Sequence, residues 1–283
     1  MINGMPRIAI AVSDFAIAVA TFRDKLGMPV VDLSAASVGN LGAKLAMCVP
    51  SSGSNIEIMS PGDPTTALSQ SVQRFIDRRG EGHFALMLEA ADPDAEAKEL
   101  IERGLNVLPK MEGAGGRDIH PNSTHGVLIR VYPIDSFIGC DPNYTEETSS
   151  PGLTGIKRVV IAVQDIEKAI NTYGVKFAMD ISSPVSDIER GVRVAICTPR
   201  AGGIIELVAV ENSLQAFGGL INNFLNTQGE GIFALILHSQ NLEVTAKALR
   251  VRGLTVASPA GLDSVLEIDT GLMCGARFWF ENE

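Results

Sequence analysis

The chain has 283 residues, a formal net charge of −10 and a sequence pI near 5.0. This acidic balance, with no run of Lys or Arg, argues against nucleic acid or an anionic membrane as a partner gripped by bulk electrostatics. No apolar run approaches a membrane span and MINGMPRIAIAV lacks the order of a secretory leader, so a cytoplasmic location is expected.

RIAIAVSD (7–14) reads as a strand, with Ile8, Ile10 and Val12 on one face and Arg7, Ala9 and Ala11 on the other. A helix with an aspartate near its start follows, then a glycine turn. Three β-rich runs come next, MPVVDLS, AKLAMCV and NIEIMS; in the last, Ile56 and Ile58 oppose Asn55, Glu57 and Met59. The unit is βαβββ. A linking helix is expected over 65–79, and then the plan recurs. HFALML sets Phe84, Leu86 and Leu88 against His83, Ala85 and Met87. A second helix and the runs NVLPK, GRDIH and GVLIRVYP complete the module, with Val127, Ile129 and Val131 opposite Leu128, Arg130 and Tyr132.

The second half repeats the first. RVVIAVQD (158–165) answers RIAIAVSD, IIELV answers NIEIM with Glu206 matching Glu57, and GEGIFALIL (229–237) answers GEGHFALML (80–88). The offset begins at 151 and settles to 149. A second linking helix is expected over 214–228. Cys48 and Cys197 occupy matching strands, which reads as two buried thiols and not one bridge; with no CxxC pair, cysteine-held zinc or iron–sulfur is not expected. The expected fold is α+β, four βαβββ modules in two tandem domains with concave mixed sheets. The domains are placed at 1–140 and 156–283, joined by the polar linker DPNYTEETSSPGLTG (141–155). The strongly apolar faces should meet the helices. The mixed faces should line a cup carrying Arg7, Glu57, His83, Arg130 and Tyr132 in the first half. In the second they carry Arg158, Glu206 and Trp279, with Ile232 in place of the histidine.

These modules, and above all IHPNSTHGVLIRV (119–131), resemble the vicinal-oxygen-chelate superfamily of glyoxalases, bleomycin-resistance proteins and extradiol dioxygenases, and within it the methylmalonyl-CoA epimerases. The resemblance to the epimerases covers nearly the whole first half. It implies tandem glyoxalase-like domains and a divalent metal held by one ligand from each of four inward strand positions, usually His, Glu or Gln, His and Glu. Those positions fall here on Arg7, Glu57, Ala85 and Arg130, and on Arg158, Glu206, Ala234 and Trp279. A guanidinium has no lone pair to give and alanine has no donor, so no metal cofactor is expected and an iron dioxygenase is rejected.

The leading functional reading is a metal-independent lyase or isomerase acting next to a carbonyl on a small carboxylate or acyl-thioester. Arg7 and Arg130, beside Tyr132, would hold an anionic group or a developing enolate. Glu57 or His83 would move the proton, and His120, Asn122 and Ser123 of the turn would touch the ligand. The alternative is a non-catalytic small-molecule-binding protein of the bleomycin-resistance kind. The arginines and glutamates then form an ion-pair cluster filling the vacated cavity, and the turn merely joins two strands. A third reading is a metalloenzyme with displaced ligands. Two arginines to one glutamate favour a small anionic partner. Trp279 either plugs the second cup or stacks on a planar ligand. That half, with IDTGLMCGARFWF where the HPNSTHG turn would stand, is expected to be degenerate. The protein is expected to be a monomer, with its halves paired as a pseudo-dimer, or a homodimer.

Overall fold

The computed structural model describes residues 1–34, 41–50, 52–111, 115–136 and 153–282. The first half runs β1 (Arg7–Ala11), α1 (Phe15–Ala20), β2 (Val30–Asp32), β3 (Ala43–Cys48), β4 (Asn55–Pro61), α2 (Ala67–Arg79), β5 (Gly82–Ala90), α3 (Pro93–Glu102), β6 (Arg117–Ile119) and β7 (Leu128–Pro133). The second runs β8 (Leu153–Ala162), α4 (Ile166–Ile170), β9 (Asp180–Ile181), β10 (Val185–Asp187), β11 (Val192–Thr198), β12 (Ile204–Val210), α5 (Ala216–Gln228), β13 (Gly231–Ser239), α6 (Leu242–Val251), β14 (Val256–Ala257), β15 (Leu266–Ile268) and β16 (Phe278–Asn282). Asp14, Asp92, Asp165 and Asn241 cap α1, α3, α4 and α6, each carboxylate or amide oxygen accepting from backbone N–H groups of the first turn. The expected strand at NVLPK is reduced to a single bridge, Val107 to Ile119, whereas its counterpart β14 pairs two residues with β15. Strand β8 starts at Leu153, so the last three residues of the expected linker are strand; 141–152 and Cys140 lie outside the described residues.

Each half makes one mixed sheet. The order is β2-β3-β4-β1-β5-β7-β6 in the first and β10-β11-β12-β8-β13-β16-β15-β14 in the second, with β9 on β11. In both, the two modules join through their first strands, β1 on β5 and β8 on β13, antiparallel. The helix-facing sides of both sheets share one core, in which Ile8, Ile10, Leu86 and Ile129 of the first half are buried with Val159, Ile161, Leu235 and Phe278 of the second. Phe22 meets Phe278 edge to face at 5.7 Å across the halves. Cys48 and Cys197 are buried and free in equivalent strands, and burial raises both thiols far above their ordinary range.

The opposite face of each sheet is the cup, and the linking helix lies across it. Leu68 and Val72 of α2 pack on Ala9, Ala11, Met59, Ala85 and Met87. Phe217 and Ile221 of α5 pack on Val160, Ala162, Val208, Ala234 and Ile236. Strand alternation therefore sorts the faces as expected, except where β5 and β13 slip in register against β1 and β8. Ala9 pairs with Ala85 but Ile10 pairs with His83, so Phe84 is an extra residue, a β-bulge. The same slip separates Ile232 from Ala234, leaving Phe233 extra. Phe84 and Phe233 both turn into the cups.

Candidate functional site

In the first cup Arg7 Nε lies 3.4 Å from Glu57 Oε2, both side chains about 6% exposed. The Arg7 guanidinium sits over the Tyr132 ring at 4.3 Å, a cation–π contact. Arg130, from β7, points at the same ring and donates to Tyr132 Oη at 3.4 Å. The carboxyl group of Asp118 takes both Nε and Nη2 of Arg130, the latter at 2.6 Å. Burial opposes the Arg130 charge, but the Asp118 carboxylate outweighs it and keeps the guanidinium protonated above its ordinary range. Thus Arg7, Glu57, Arg130 and Tyr132 do share one face. Sequence reasoning missed Asp118, which β6 places directly opposite Arg130 in the antiparallel register. With it, two carboxylates meet two guanidinium groups. The net positive balance expected from two arginines and one glutamate is therefore not found among the described residues, where Glu89 also interacts with Arg7.

His83 is not in the cup. The bulge at Phe84 reverses the parity, and the imidazole lies on the Ile10 side, facing the second half. Its Nε2 lies 3.1 Å from the backbone nitrogen of Arg277 and 3.2 Å from its carbonyl oxygen, and its ring meets Phe278 edge-on at 6.0 Å. Burial pulls its pKa down to about 4, and the nearby Arg277 charge adds to the effect. The expected pairing of His83 with Glu57 is therefore corrected.

The HPNSTHG turn is also turned away from the cup. His120 Nδ1 accepts from the Asn122 N–H at 3.1 Å, Ser123 Oγ accepts from the Asn106 N–H at 3.0 Å, and Asn122 Oδ1 accepts from Asn106 Nδ2 at 3.2 Å. These three side chains hold the turn against the chain just after α3. The turn then docks on the other half. Tyr173 Oη donates to the Thr124 carbonyl at 3.1 Å, and His125 bonds Glu230 Oε1 at 3.0 Å. Gly126 comes so close that an added Cβ would stand 1.9 Å from the Glu230 carbonyl oxygen. The second half has kept the same turn in other letters, contrary to expectation. Asp269 accepts from Gly271 N–H as His120 accepts from Asn122, and a Cβ on Gly275 would stand 2.3 Å from the Glu81 carbonyl oxygen. The GEG phrases are reciprocal sockets, each receiving the other half's turn.

The second cup is filled differently. Trp279 is 2% exposed and wedged between Phe217 and Phe233, with ring centroids at 5.6 and 5.5 Å. Glu206 takes Arg158 Nε at 2.8 Å and Arg190 Nη1 at 3.3 Å, and Arg158 also reaches Glu281 at 2.6 Å. Arg190 was not anticipated; it comes from the turn ahead of β11 and stacks over Phe217 at 4.1 Å. By contrast Glu57 Oε2 is buried and accepts no hydrogen bond.

The donor set at the four inward positions does not fit a divalent ion. Glu57 and Glu206 are single oxygen donors committed to arginines, and their neighbours are Ala85, Ala234, Arg130 and Trp279. Among the described residues no group of three or more His, Cys, Asp or Glu side chains is placed to hold a metal. Among them, too, no helix is long and apolar enough to cross a membrane.

Residues 7–120 match the family model described as Glyoxalase/Bleomycin resistance protein/Dioxygenase superfamily. The whole chain follows a tandem arrangement seen in solved structures. A mutant of 4-hydroxymandelate synthase from Streptomyces coelicolor superposes with a TM-score of 0.70 at 13% identity, over 99% of this chain and 92% of that one. A xylose isomerase-like TIM barrel/4-hydroxyphenylpyruvate dioxygenase fusion protein gives a TM-score of 0.67 at 12% identity, over 100% of this chain and 49% of that one. At these identities the likeness is one of fold. Methylmalonyl-CoA epimerase from Mycobacterium tuberculosis aligns over 46% of this chain and 89% of its own at 23% identity, with a TM-score of 0.39 that carries no argument. No curated protein matches the chain.

Proposed function

We propose that the protein is a metal-independent small-molecule-binding member of this superfamily, with the first cup as its binding site. The observation that supports this reading is the state of the two equivalent glutamates. Glu206 is gripped by two arginines beneath a tryptophan plug. Glu57 Oε2 is buried, ion-paired with Arg7 Nε at 3.4 Å but accepting no hydrogen bond, beside a floor of Ala9 and Ala85 and walls of Met59, Met87 and Met111. A buried acceptor without a donor costs about 1–3 kcal/mol, more when charged, and a ligand that supplies the donor recovers it. Thioether walls adapt to irregular apolar shapes. The favoured ligand is a small, mainly apolar molecule with a hydroxyl or amine donor. The lack of a net positive charge among the described cup residues supports this over the expected anion.

The test is a binding series with p-cresol, 4-methylbenzylamine and 4-methylbenzoate, read by calorimetry. The phenol or the amine should bind, the carboxylate should bind more weakly, and Glu57→Gln should weaken the preferred probe about 10-fold or more, the worth of a charged hydrogen bond. Tighter binding of the carboxylate, unaffected by Glu57→Gln, would rule the reading out.

The lyase or isomerase reading keeps one specific support: the same open Glu57 oxygen beside the Arg7 cation is a base next to an electrophile. His83 is withdrawn from that mechanism. Deuterium uptake at the carbon next to a bound ligand's carbonyl, lost in Glu57→Gln, would promote it over simple binding.

A further inference from the structure

Between the two GEG phrases, where the ends of α2 and α5 face each other, lies a cavity of about 170 Å³ lined by Arg79, Glu81, His83, Thr270 and Arg277. We infer that this cavity between the halves is a second binding site, separate from either cup, for a small oxyanion of the phosphate or carboxylate class.

Two guanidinium groups, one from each half, line it, and that of Arg79 has no carboxylate partner among the described residues. His83 Nε2 lies 3.1 Å from the Arg277 backbone nitrogen and 3.2 Å from its carbonyl oxygen, and Nδ1 is buried with no hydrogen-bond partner. An oxyanion beside Nδ1 selects the tautomer that carries the proton there, with Nε2 accepting the Arg277 N–H. Arg79 is half-buried; its guanidinium donates to the Glu230 carbonyl oxygen at 3.1 Å, and among the described residues no carboxylate lies within ion-pair distance of it. Burial pushes its pKa down, the mark of a cation whose charge lacks compensation. On the facing wall Arg277 is fixed over the Phe233 ring at 4.3 Å by a 2.6 Å bond to Glu267. The cavity carboxylate, Glu81, is turned to the Ser13 N–H at 2.6 Å. Phe75, Phe224 and Phe233 supply apolar walls, beside which charge-assisted bonds are stronger than in open water. One guanidinium comes from each half, so the site exists only in the joined chain. It is asymmetric as well: the second copy holds Gln228 and Ile232 where the first has Arg79 and His83.

The experiment titrates inorganic phosphate and sodium acetate into the intact protein at constant ionic strength, with chloride as control. It reads the melting temperature and the His83 imidazole resonances. A saturable shift with phosphate, acetate or both, absent with chloride, is expected, and which of the two acts names the oxyanion. Arg79→Gln, which installs the second copy's own residue, should weaken that binding at least 10-fold while p-cresol binding in the first cup stays unchanged. No saturable response in the wild type, or an equal response in Arg79→Gln, overturns the inference. Because p-cresol reports on the first cup alone, failure of this site and failure of the cup proposal are told apart.

Discussion

The two cups start from the same backbone and end in different chemistry. Both keep a glutamate on the strand beside the first one, an arginine opposite it and an alanine on the bulged strand. In the second, Trp279 and Phe217 stand where the first has Arg130 and Leu68, and the glutamate is doubly bound. In the first, methionines line the cup and one oxygen of the glutamate accepts no hydrogen bond. The contrast teaches that losing the metal ligands does not decide what a cup becomes; what fills the vacated volume does.

The sharpest way to break this comparison is Trp279→Ala. Emptying a well-packed aromatic site costs ~3–5 kcal/mol, so the urea midpoint should fall steeply while p-cresol binding in the first cup holds. Trp279→Phe should cost much less, since it also removes an indole N–H that is buried without a partner. Equal loss of binding and stability in Trp279→Ala would mean the cups are one unit. Asp118→Ala strands Arg130 in the first cup and should cost ~3–4 kcal/mol in chemical denaturation, because the uncompensated buried charge dominates. The double change Asp118→Leu with Arg130→Met should recover most of that.

His83 gives a pH signature. Its folded pKa of about 4 lies below its ordinary value, so the unfolded chain binds the extra proton first. Stability from this group is complete above about pH 6.5 and is lost as pH falls toward 4, on the order of 2 kcal/mol. Stability measured at pH 7 and pH 4.5 should diverge less in His83→Phe than in the wild type. An unchanged pH slope would contradict the burial of the imidazole. The smallest effect is expected from Arg158→Gln. Its side chain is about a quarter exposed and Glu206 retains Arg190, so ~1 kcal/mol is the expected loss, with no change in p-cresol affinity.

Alternation alone placed Ile8, Ile10, Leu86 and Ile129 in the shared core and Arg7, Glu57 and Arg130 in the cup, because a period of two is a local property of the chain. His83 went to the wrong face because one extra residue, Phe84, is invisible to a period count. The near-identical GEG phrase was the available signal, and its meaning lies in backbone geometry that side-chain patterns do not record. Asp118 needed the β6–β7 register, and Arg190 needed tertiary packing. The turn at 120–126 could be read as a strand connection from its own residues; that it docks on Glu230 depends on a partner more than 100 positions away.

The reciprocal sockets have a consequence for how the molecule could be taken apart. Each half offers its backbone carbonyl to the other's glycine, at Glu230 with Gly126 and at Glu81 with Gly275, and neither contact involves the segment that connects them. A protease cut in that connection would therefore leave two fragments that still hold each other by complementary surfaces. The covalent tether supplies proximity, while recognition between the fragments is already written into each of them.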